Sequence, residues 1–358
     1  MRSERCRAFA PGRVNLIGEH TDYNGGLALP FAIAQGVTVA AEASSLGGAG
    51  ERRVEALALD LDEHDEFAID HPEPAHGWRA FVRGIVAELS AAGWELRGAR
   101  LEIHGELPRG AGLSSSAALE VALCLALIEL AAEGPSPGGG PPDPIALAGL
   151  CARVENRWVG AHTGLLDQLA SLCGAPDACV LIDFLTLELE PVPLLLDGWS
   201  LAVLDSGERH ANASSGYNER RAECARASEL LGVPTLREAD AQQLARLPEP
   251  LANRALHVLE ECERVRLAVA ALRDRDLASV GRLLDAAHAS LRDLYEVSTP
   301  AVERAVAQLR DAGAAGARIV GGGFGGSALG LFPPGVSPPE GAREVRPSCG
   351  ARVLAVSA

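Results

Sequence analysis

A short polar loop near the N-terminus places the strongest constraint on how this chain can fold. The segment GRVNLIGEHT at 12–21, followed by DYNGG at 22–26, interrupts an apolar, strand-like stretch. Four of its side chains can carry a charge near neutral pH: Arg13, Glu19, His20 and Asp22. Removing such groups from water costs free energy unless they are paired or bind something. The loop therefore predicts a binding site supported by the strands around it.

A second feature is the glycine- and serine-rich block LPRGAGLSSSAA at 107–118. It lies between a predicted strand, Ala99–Gly105, and an Ala/Leu-rich predicted helix, Ala117–Glu133. Glycines let backbone N–H groups approach an anion, serines add hydroxyl donors, and the helix N-terminus carries a partial positive charge. The block therefore predicts a phosphate site. A helix capped by a serine run is the structural alternative.

A third block, GGGFGG at 321–326, formally satisfies the Gly-x-Gly-x-x-Gly pattern of dinucleotide-binding proteins. It follows a predicted strand, Ala317–Val320. The next segment, Ser327–Phe332, also has strand composition, whereas a dinucleotide site requires a helix there. The block therefore predicts a tight hairpin.

Composition limits the classes of protein that the chain can represent. Its 358 residues, 47% hydrophobic and 22% charged, predict a globular enzyme with a large core and two packed domains. A formal net charge of -16 argues against non-specific nucleic-acid binding, which needs a clustered basic surface. All 32 Lys or Arg positions are arginine, so a P-loop lysine is excluded.

Cysteine usage and hydropathy predict a cytoplasmic location. The eight cysteines show no Cys-x-x-Cys and no zinc-type spacing, which is typical of buried thiols in a reducing compartment. The basic first residues are not followed by an apolar stretch of signal-peptide length. The most apolar window, Ala117–Ala132, contains Glu120 and Glu129 and is too short to span a membrane. We expect neither nucleic acid nor membrane as a partner.

Periodicity and turn residues predict the remaining elements. Strand-like segments lie at Ala28–Ala43, Val54–Leu61, Phe67–Asp70, Val180–Leu189 and Ser200–Asp205. Helical patterns lie at Trp78–Leu89, at Ile145–Val159, and from Ser215 to about Leu309. The Pro- and Gly-rich segment 134–142 predicts an irregular surface connection.

The three blocks, taken in their order along the chain, resemble the signatures of galactokinases, members of the GHMP superfamily of small-molecule kinases. A further block, residues 205–210 with 215–224, resembles galactokinases specifically. Two positions depart from the family pattern. Ile319-Val320 replaces Met-Thr, which we expect to affect packing, and Thr163 stands where many galactokinases carry Cys, which leaves the reacting groups unchanged.

The resemblance implies an α+β, two-domain GHMP kinase fold. The N-terminal domain, residues 1–179, would contain the left-handed βαβ unit of this superfamily. The C-terminal domain, residues 180–358, would be ferredoxin-like. ATP and the sugar would bind in the cleft between the domains, and the loop at 321–326 would close against it and help to shape the phosphate loop.

The resemblance also implies catalytic and metal-binding residues. Asp167, in the segment GLLDQ, matches the general base, and Arg13 matches its partner. An isolated Asp at position 167 is otherwise typical of a cap or turn. Ser116 and Glu155 match the ligands of Mg²⁺, the implied cofactor, which prefers oxygen donors. Glu155 otherwise fits a helix-surface carboxylate.

The resemblance also implies which residues bind the sugar and which bind ATP. The sugar-binding positions are Glu19, His20, Thr21, Asp22, Gly164 and Tyr217. Polar groups of fixed geometry reject a sugar that lacks the matching hydroxyl. The ATP-binding positions are Gly110, Ala111, Gly112, Leu113, Ser114, Ser115, Ser116 and Trp78. Trp78 would pack near adenine, and a buried core Trp is the alternative.

The implied reaction is transfer of the ATP γ-phosphoryl group to the anomeric hydroxyl of D-galactose by a monomer. A related kinase for N-acetylgalactosamine, arabinose or another sugar would share the ATP-binding residues and differ at the sugar positions. A non-catalytic sugar sensor on the same fold is the other alternative. The retained serines 114–116, Asp167 and Glu155 disfavour a sensor, because a binding module needs neither a base nor metal ligands.

Overall fold

The computed structural model describes residues 4–44, 52–108, 110–132, 134, 143–161, 163–208 and 213–355. Within these ranges the chain forms three β-sheets and eight α-helices. Most of the predicted Pro/Gly-rich connection, residues 135–142, lies outside the described residues. No helix in the described part is long and apolar enough to cross a membrane.

The largest sheet has six strands in the order β13-β1-β3-β6-β4-β5. Its strands are β1 (Arg5–Asn15), β3 (Pro30–Ala43), β4 (Arg53–Ala58), β5 (Glu63–Ala68), β6 (Ala99–Gly105) and β13 (Arg352–Leu354). Neighbouring strands are antiparallel except β4 and β6, which run parallel. The first four residues of the predicted polar loop, 12–15, belong to β1, and the rest of the loop follows the end of this strand.

Four helices pack beside the large sheet, two of them directly on its strands and two on those helices. They are α1 (Trp78–Ala91), α2 (Ser115–Leu130), α3 (Pro144–Val154) and α4 (Leu166–Cys173). Helix α2 is apolar on all sides, and it is buried between α1, α3 and strands β1 and β3. A helix of this kind must lie in the interior. Its N-terminus is therefore fixed, and so is the phosphate-type loop that precedes it.

Two smaller sheets complete the fold. One joins β2 (Leu27–Ala28), β7 (Ala178–Asp183) and β8 (Glu188–Pro193). The other has the order β10-β11-β9-β12, with β9 (Ser200–Asp205), β10 (Gly316–Val320), β11 (Ser327–Phe332) and β12 (Arg343–Val345). The C-terminal helices are α5 (Ala213–Leu231), α6 (Leu251–Arg273), α7 (Leu277–Asp293) and α8 (Pro300–Asp311). Helices α7 and α8 pack on β10 and β11.

The predicted α+β class is confirmed, and so are several elements. Strands Ala99–Gly105, Ser200–Asp205 and Ser327–Phe332 occur with the predicted bounds. The Gly321–Gly326 block is a hairpin connection between antiparallel β10 and β11, as predicted. The division into residues 1–179 and 180–358 stays a prediction. Strand β13, from the end of the chain, pairs with β1 in the large sheet.

Several predicted bounds were wrong, among them that of the helix predicted at Ala117–Glu133, which spans Ser115–Leu130, and that of the strand predicted at Val54–Leu61, which ends at Ala58. The segment Val180–Leu189 is not one strand, because the Asp183 carboxylate accepts the N–H groups of residues 185 and 186 and ends β7 in a turn. The segment Ile145–Val159 is α-helical only to Val154, and Glu155–Val159 forms a π-helical turn. The strand predicted at Phe67–Asp70 begins earlier, at Glu63.

Candidate active site

A cleft of about 290 Å³ opens between the N-terminal polar loop, the phosphate-type loop and the β10–β11 hairpin. Residues from each sequence block line it: Arg13, Glu19, His20, Asp22, Gly110, Ala111, Gly112, Leu113, Ser114, Ser115, Ser116, Thr163, Gly164, Leu166, Asp167, Tyr217, Gly321 and Gly322. Residues more than 300 positions apart in sequence thus share one cavity. Thr21, Glu155 and Trp78 are the predicted site residues that do not line it.

Asp167 lines the cleft from the first turn of α4. Arg13 holds one of its carboxylate oxygens, Oδ1, through Nε at 2.8 Å and Nη2 at 2.7 Å. The Arg13 side chain is almost fully buried, and its Nη1 donates to the carbonyl of Gly112 at 2.6 Å. Ser114 Oγ donates to the other oxygen, Asp167 Oδ2. This network rules out an isolated turn or cap role for Asp167.

The phosphate-type loop is held by its carbonyl oxygens. The carbonyl of Ala111 accepts from Ser327 Oγ at 2.7 Å, and that of Leu113 accepts from the Arg13 N–H at 3.2 Å. In a trans peptide the N–H points opposite to the carbonyl. The N–H groups of residues 112 and 114 therefore face away from the atoms that hold the carbonyls, as an anion-binding loop requires.

Glycine is required in this loop. Gly112 has φ of 75°, a left-handed conformation that favours glycine, and a Cβ there would lie 3.1 Å from the carbonyl oxygen of Val320. Ser114 is also left-handed, with φ of 57°, and its side chain does not cap α2. The serine run is thus not the helix cap that was the structural alternative.

Behind the loop, Glu155 belongs to a buried polar cluster. Its carboxylate accepts from Thr163 Oγ1, from Gln168 Nε2 at 3.2 Å and from the Ser116 hydroxyl. Burial raises the pKa of Glu155 to about 7. Gln168 Nε2 also donates to Glu120 at 3.1 Å, and burial raises the pKa of Glu120 well above its ordinary value. With 5% of its surface exposed, Glu155 is not a helix-surface carboxylate.

The donors of this cluster fit a hard cation. Ser116, Thr163 and Glu155 offer oxygens, and Glu120 Oε1 has no hydrogen-bond partner among the described residues. The described part of the chain contains no group of three or more His, Cys, Asp or Glu arranged around a metal ion. Mg²⁺ usually takes one or two protein oxygens and completes its shell with phosphates and water. The pair Ser116 and Glu155 is compatible with that arrangement.

Asp22, Gly164 and Tyr217 lie close together in the lining of the cleft. Burial, together with the nearby Asp167 carboxylate, raises the pKa of Asp22 to about 7. Burial also raises the pKa of Tyr217 well above its ordinary value, so its hydroxyl stays protonated. In this desolvated pocket Asp22 can accept a hydrogen bond when it is ionised and donate one when it is protonated, and Tyr217 supplies a hydroxyl donor. Such a pocket discriminates between polyhydroxy ligands by leaving unmatched groups unpaired.

Protein groups already hold the other residues of the polar loop. Glu19 Oε1 accepts from the Gly321 N–H at 2.8 Å and lies 2.8 Å from Arg318 Nη2. His20 contacts the carbonyl of Gly322 through Nε2 at 3.2 Å. Burial lowers the pKa of His20 to about 3, so the ring is neutral. These contacts fasten the polar loop to the β10–β11 hairpin.

Thr21 lies apart from the cleft lining. Its side chain is fully buried, and Oγ1 donates to the carbonyls of Gly18 and Leu27 at 2.9 and 2.8 Å. A hydroxyl has one proton to donate, so these backbone contacts use it fully. The geometry favours a role in shaping the loop.

The sequence analysis missed two groups of residues. Arg318 is fully buried, and its Nη1 donates to the carbonyls of Asn15 and Leu16 at 3.2 and 2.7 Å. Tyr23 and Tyr295 form a hydroxyl chain, 3.0 Å apart, that reaches His20 Nδ1 at 2.8 Å from Tyr23. Only proximity in sequence to the motifs marks Arg318 and Tyr23. Tyr295 carries no sequence signal, because the fold brings it there.

Trp78 lines a second cavity of about 620 Å³, which adjoins the phosphate-type loop at Ser115 and Ser116. Its indole Nε1 donates to Glu63 Oε2 at 2.7 Å, and the Arg79 guanidinium lies 5.0 Å from its ring centre. The ring is therefore held in place while part of it faces the cavity. Trp78 also packs against the main hydrophobic core, so its position is compatible with both roles that the sequence left open, a nucleobase surface and a core Trp.

Comparison with known proteins matches all three blocks. The galactokinase galactose-binding signature matches residues 2–43, the GHMP kinases N-terminal domain matches 80–175, and the GHMP kinases C-terminal domain matches 268–351. A galactokinase of Thermotoga petrophila is 39% identical over 321 residues, which cover 89% of this chain and 87% of that protein. A galactokinase of a Roseiflexus species is 42% identical, covering 90% and 82%.

Comparison with solved structures agrees with these sequence matches. The structure of Lactococcus lactis galactokinase complexed with galactose has a TM-score of 0.87, at 30% identity over 98% of this chain and 96% of that one. Methanococcus jannaschii mevalonate kinase has a TM-score of 0.67 at 16% identity, over 98% and 99% of the two chains. The second match concerns the fold alone.

Proposed function

The chain belongs to the galactokinase family of the GHMP kinases, and on that premise we propose that its cleft transfers the γ-phosphoryl group of ATP to the anomeric hydroxyl of D-galactose. The products are galactose 1-phosphate and ADP. The observation that carries this proposal is the position of Asp167, which contacts the phosphate-type loop through Ser114 and lies near Asp22 in the same cleft.

In the proposed mechanism, Asp167 orients the anomeric hydroxyl and accepts its proton as the bond to phosphorus forms. Arg13 supports this role, because its buried guanidinium stabilises the ionised carboxylate and fixes its orientation. The same guanidinium contributes positive charge beside the transferring phosphoryl group. One arginine thus serves both the base and the charge that develops on the phosphate.

The ATP phosphates bind at residues 110–116, where backbone N–H groups and the α2 N-terminus favour negative charge. Adenine lies in the neighbouring cavity against Trp78. Ser116 and Glu155 would hold Mg²⁺, which would supply positive charge to neutralise the ATP phosphates during the transfer. The Glu155 carboxylate, held by Thr163 and Gln168, is oriented before the nucleotide arrives.

The sugar binds beside Asp22, Gly164 and Tyr217 in the cleft, with Glu19 and His20 as further contacts. Burial of these polar groups makes the pocket selective. A hydroxyl in the wrong orientation leaves one of them unpaired, which costs about 1–3 kcal/mol. Glucose, which differs from galactose only at C4, is therefore expected to be a poor substrate.

A sugar panel tests the proposal. ADP formation is measured with galactose, glucose, N-acetylgalactosamine and arabinose, and galactose must give the highest kcat/KM. A clear preference for another sugar would assign the chain to a related sugar kinase. Galactose binding by calorimetry without any ADP formation would indicate the non-catalytic sensor. We also propose a monomeric, cytoplasmic enzyme with a domain boundary near residue 179, and gel filtration with light scattering tests the oligomeric state.

A further inference from the structure

Ser114 occupies the junction between the phosphate-type loop and the candidate base. It is the last residue before α2, which begins at Ser115. Its Oγ donates to Asp167 Oδ2, across 53 positions of sequence. A serine in a phosphate loop is expected to donate to phosphate, whereas this hydroxyl is directed at a carboxylate.

The backbone of Ser114 explains that direction. Its φ of 57° and ψ of 49° are left-handed, a conformation that costs a non-glycine residue about 1 kcal/mol or more. A serine with ordinary extended backbone at this position would cap α2, and Ser114 makes no such cap bond. The surrounding structure maintains the strained conformation, and the hydroxyl meets Asp167 as a result.

The carboxylate of Asp167 is oriented from two sides. Arg13 donates to Oδ1 from Nε and Nη2, and Ser114 donates to Oδ2. Each carboxylate oxygen has about two acceptor positions, so Oδ2 retains one for a substrate hydroxyl. A serine hydroxyl has one proton, and while it donates to Asp167 it cannot also donate to a phosphate oxygen.

We propose that Ser114 is a positioning residue for the base, acting through Asp167, and not a phosphate ligand. Its hydroxyl fixes the rotation of the carboxylate so that the free position of Oδ2 faces the sugar hydroxyl. This inference rests on the proposed function, since it assigns the part that Ser114 plays in that reaction. Its loss should lower kcat and leave ATP binding unchanged.

Two substitutions distinguish the effect of losing the Ser114 hydroxyl from the effect of relieving the strained backbone at this position. Ser114→Ala should lower kcat about tenfold or more, the range for losing a hydrogen bond to a charged group. Its Kd for ATP, measured by calorimetry, should stay within about twofold of the parent. Ser114→Gly should show the same loss of kcat with a higher Tm than Ser114→Ala, because glycine adopts positive φ without strain. Restored kcat in Ser114→Gly, or an ATP affinity that falls with kcat, overturns the proposal.

Ser171 supplies a matched control. It is a buried serine on α4, the helix that carries Asp167, and its hydroxyl donates to the carbonyl of Pro11 at 2.7 Å. Ser171→Ala removes a comparable hydrogen bond without touching the carboxylate. Its kcat should stay within about twofold of the parent. A loss equal to that of Ser114→Ala would indicate a general effect of destabilising α4.

A double-mutant cycle tests whether Ser114 acts through Asp167. In an Asp167→Asn background, Ser114→Ala should change the residual kcat by less than about threefold, because the group that it orients is gone. The same tenfold loss in both backgrounds overturns the proposal.

Urea unfolding without ligands tests the contact between Ser114 and Asp167 independently of the proposed function. The four proteins of the cycle are the parent, Ser114→Ala, Asp167→Asn and the double variant. Ser114→Ala should lower the unfolding midpoint more in the parent than in Asp167→Asn, because only the parent has the charged acceptor. Equal shifts overturn the contact between Ser114 and Asp167, whatever the sugar panel shows. A parent that phosphorylates no sugar overturns the proposed function and the role in catalysis, and the unfolding cycle then still decides the contact.

Discussion

Asp22 fills the space that a side chain at Gly164 would need. A Cβ on Gly164 would lie 1.9 Å from Asp22 Oδ2 and 2.5 Å from its Cγ. The two residues come from the polar loop and from the segment that precedes α4, 142 positions apart in sequence. Their contact fixes where the Asp22 carboxylate sits in the cleft.

Gly164→Ala should therefore weaken galactose binding. The new methyl displaces the Asp22 carboxylate, and overpacking of this kind costs about 1–3 kcal/mol, or about 5- to 150-fold in Kd. The effect belongs to the side chain, since Gly164 is not among the residues with positive φ. Calorimetry with galactose measures the loss, and the ATP affinity should be nearly unchanged.

Gly149→Ala is the control for this substitution. Gly149 lies in α3, and among the described residues a Cβ there would have one neighbour within 4 Å, Arg153 Nη1 at 3.9 Å. Alanine is favoured over glycine in a helix by about 1 kcal/mol, so Tm should rise slightly with no change in galactose affinity. An unchanged galactose Kd in Gly164→Ala would contradict the placement of Asp22 in the sugar pocket.

Asp167→Asn tests the base. The amide keeps the shape of the carboxylate but cannot accept the proton, so kcat should fall by about two to four orders of magnitude. Binding of galactose and ATP, measured by calorimetry, should persist. Turnover within about threefold of the parent, far inside that range, would remove Asp167 from the role of base.

Ser116→Ala and Glu155→Ala test the metal site. Each removes one oxygen from the pair proposed to hold Mg²⁺, so the Mg²⁺ concentration for half-maximal rate should rise. Galactose affinity should barely move, because neither residue is among those proposed to bind the sugar. A Mg²⁺ titration of Glu155→Ala that matches the parent would leave Glu155 with a purely structural role.

Asp22→Asn tests the buried carboxylate through stability. The native pKa of Asp22, about 7, lies above its ordinary value of 3.8, so the folded protein retains a proton that the unfolded chain releases between about pH 4 and pH 7. The free energy of unfolding of the parent therefore falls as pH rises through that window. Asp22→Asn lacks this contribution to the pH dependence of stability, because its amide does not titrate.

The two proteins should be equally stable near pH 4, and Asp22→Asn should be more stable at pH 8, by about 4 kcal/mol at most. Urea unfolding without ligands at both pH values measures the difference. The pKa of Glu155 is also raised, so Glu155 contributes to the pH dependence of stability over a similar pH range. This contribution is the same in both proteins, so the difference between their free energies of unfolding reports on Asp22. A stability difference that does not grow with pH would show that Asp22 is not a desolvated carboxylate.

Local patterns predicted much of the fold. Strand β6, strand β9 and the β10–β11 hairpin follow from short apolar segments bounded by glycines, and helix α2 from its Ala/Leu content. Bounds failed where a side chain outside the pattern decided the backbone. The Asp183 carboxylate ends β7, and at Glu155–Val159 the helix changes to a π-helical turn.

The residues of the site also divide into those that the sequence identified and those whose contacts only the structure shows. The motif residues that line the cleft were identified from their blocks, since phosphate and sugar chemistry restricts which residue types a binding loop can use. Thr21 was assigned to the sugar by its place in the motif, yet its hydroxyl is bonded to backbone carbonyls. Ser114 was assigned to ATP, yet its hydroxyl is bonded to Asp167.

The sequence alone determined which side chains are available for phosphate and sugar chemistry and which segments form strands or helices, because both depend on residue type and local spacing. Only the tertiary structure decided which groups meet. The contacts of Arg318 with Glu19, of Tyr295 with Tyr23, and of Asp22 with Gly164 join segments from opposite parts of the chain. A buried side chain makes its hydrogen bonds with whatever lies beside it in space, and proximity in space is a property of the packed fold.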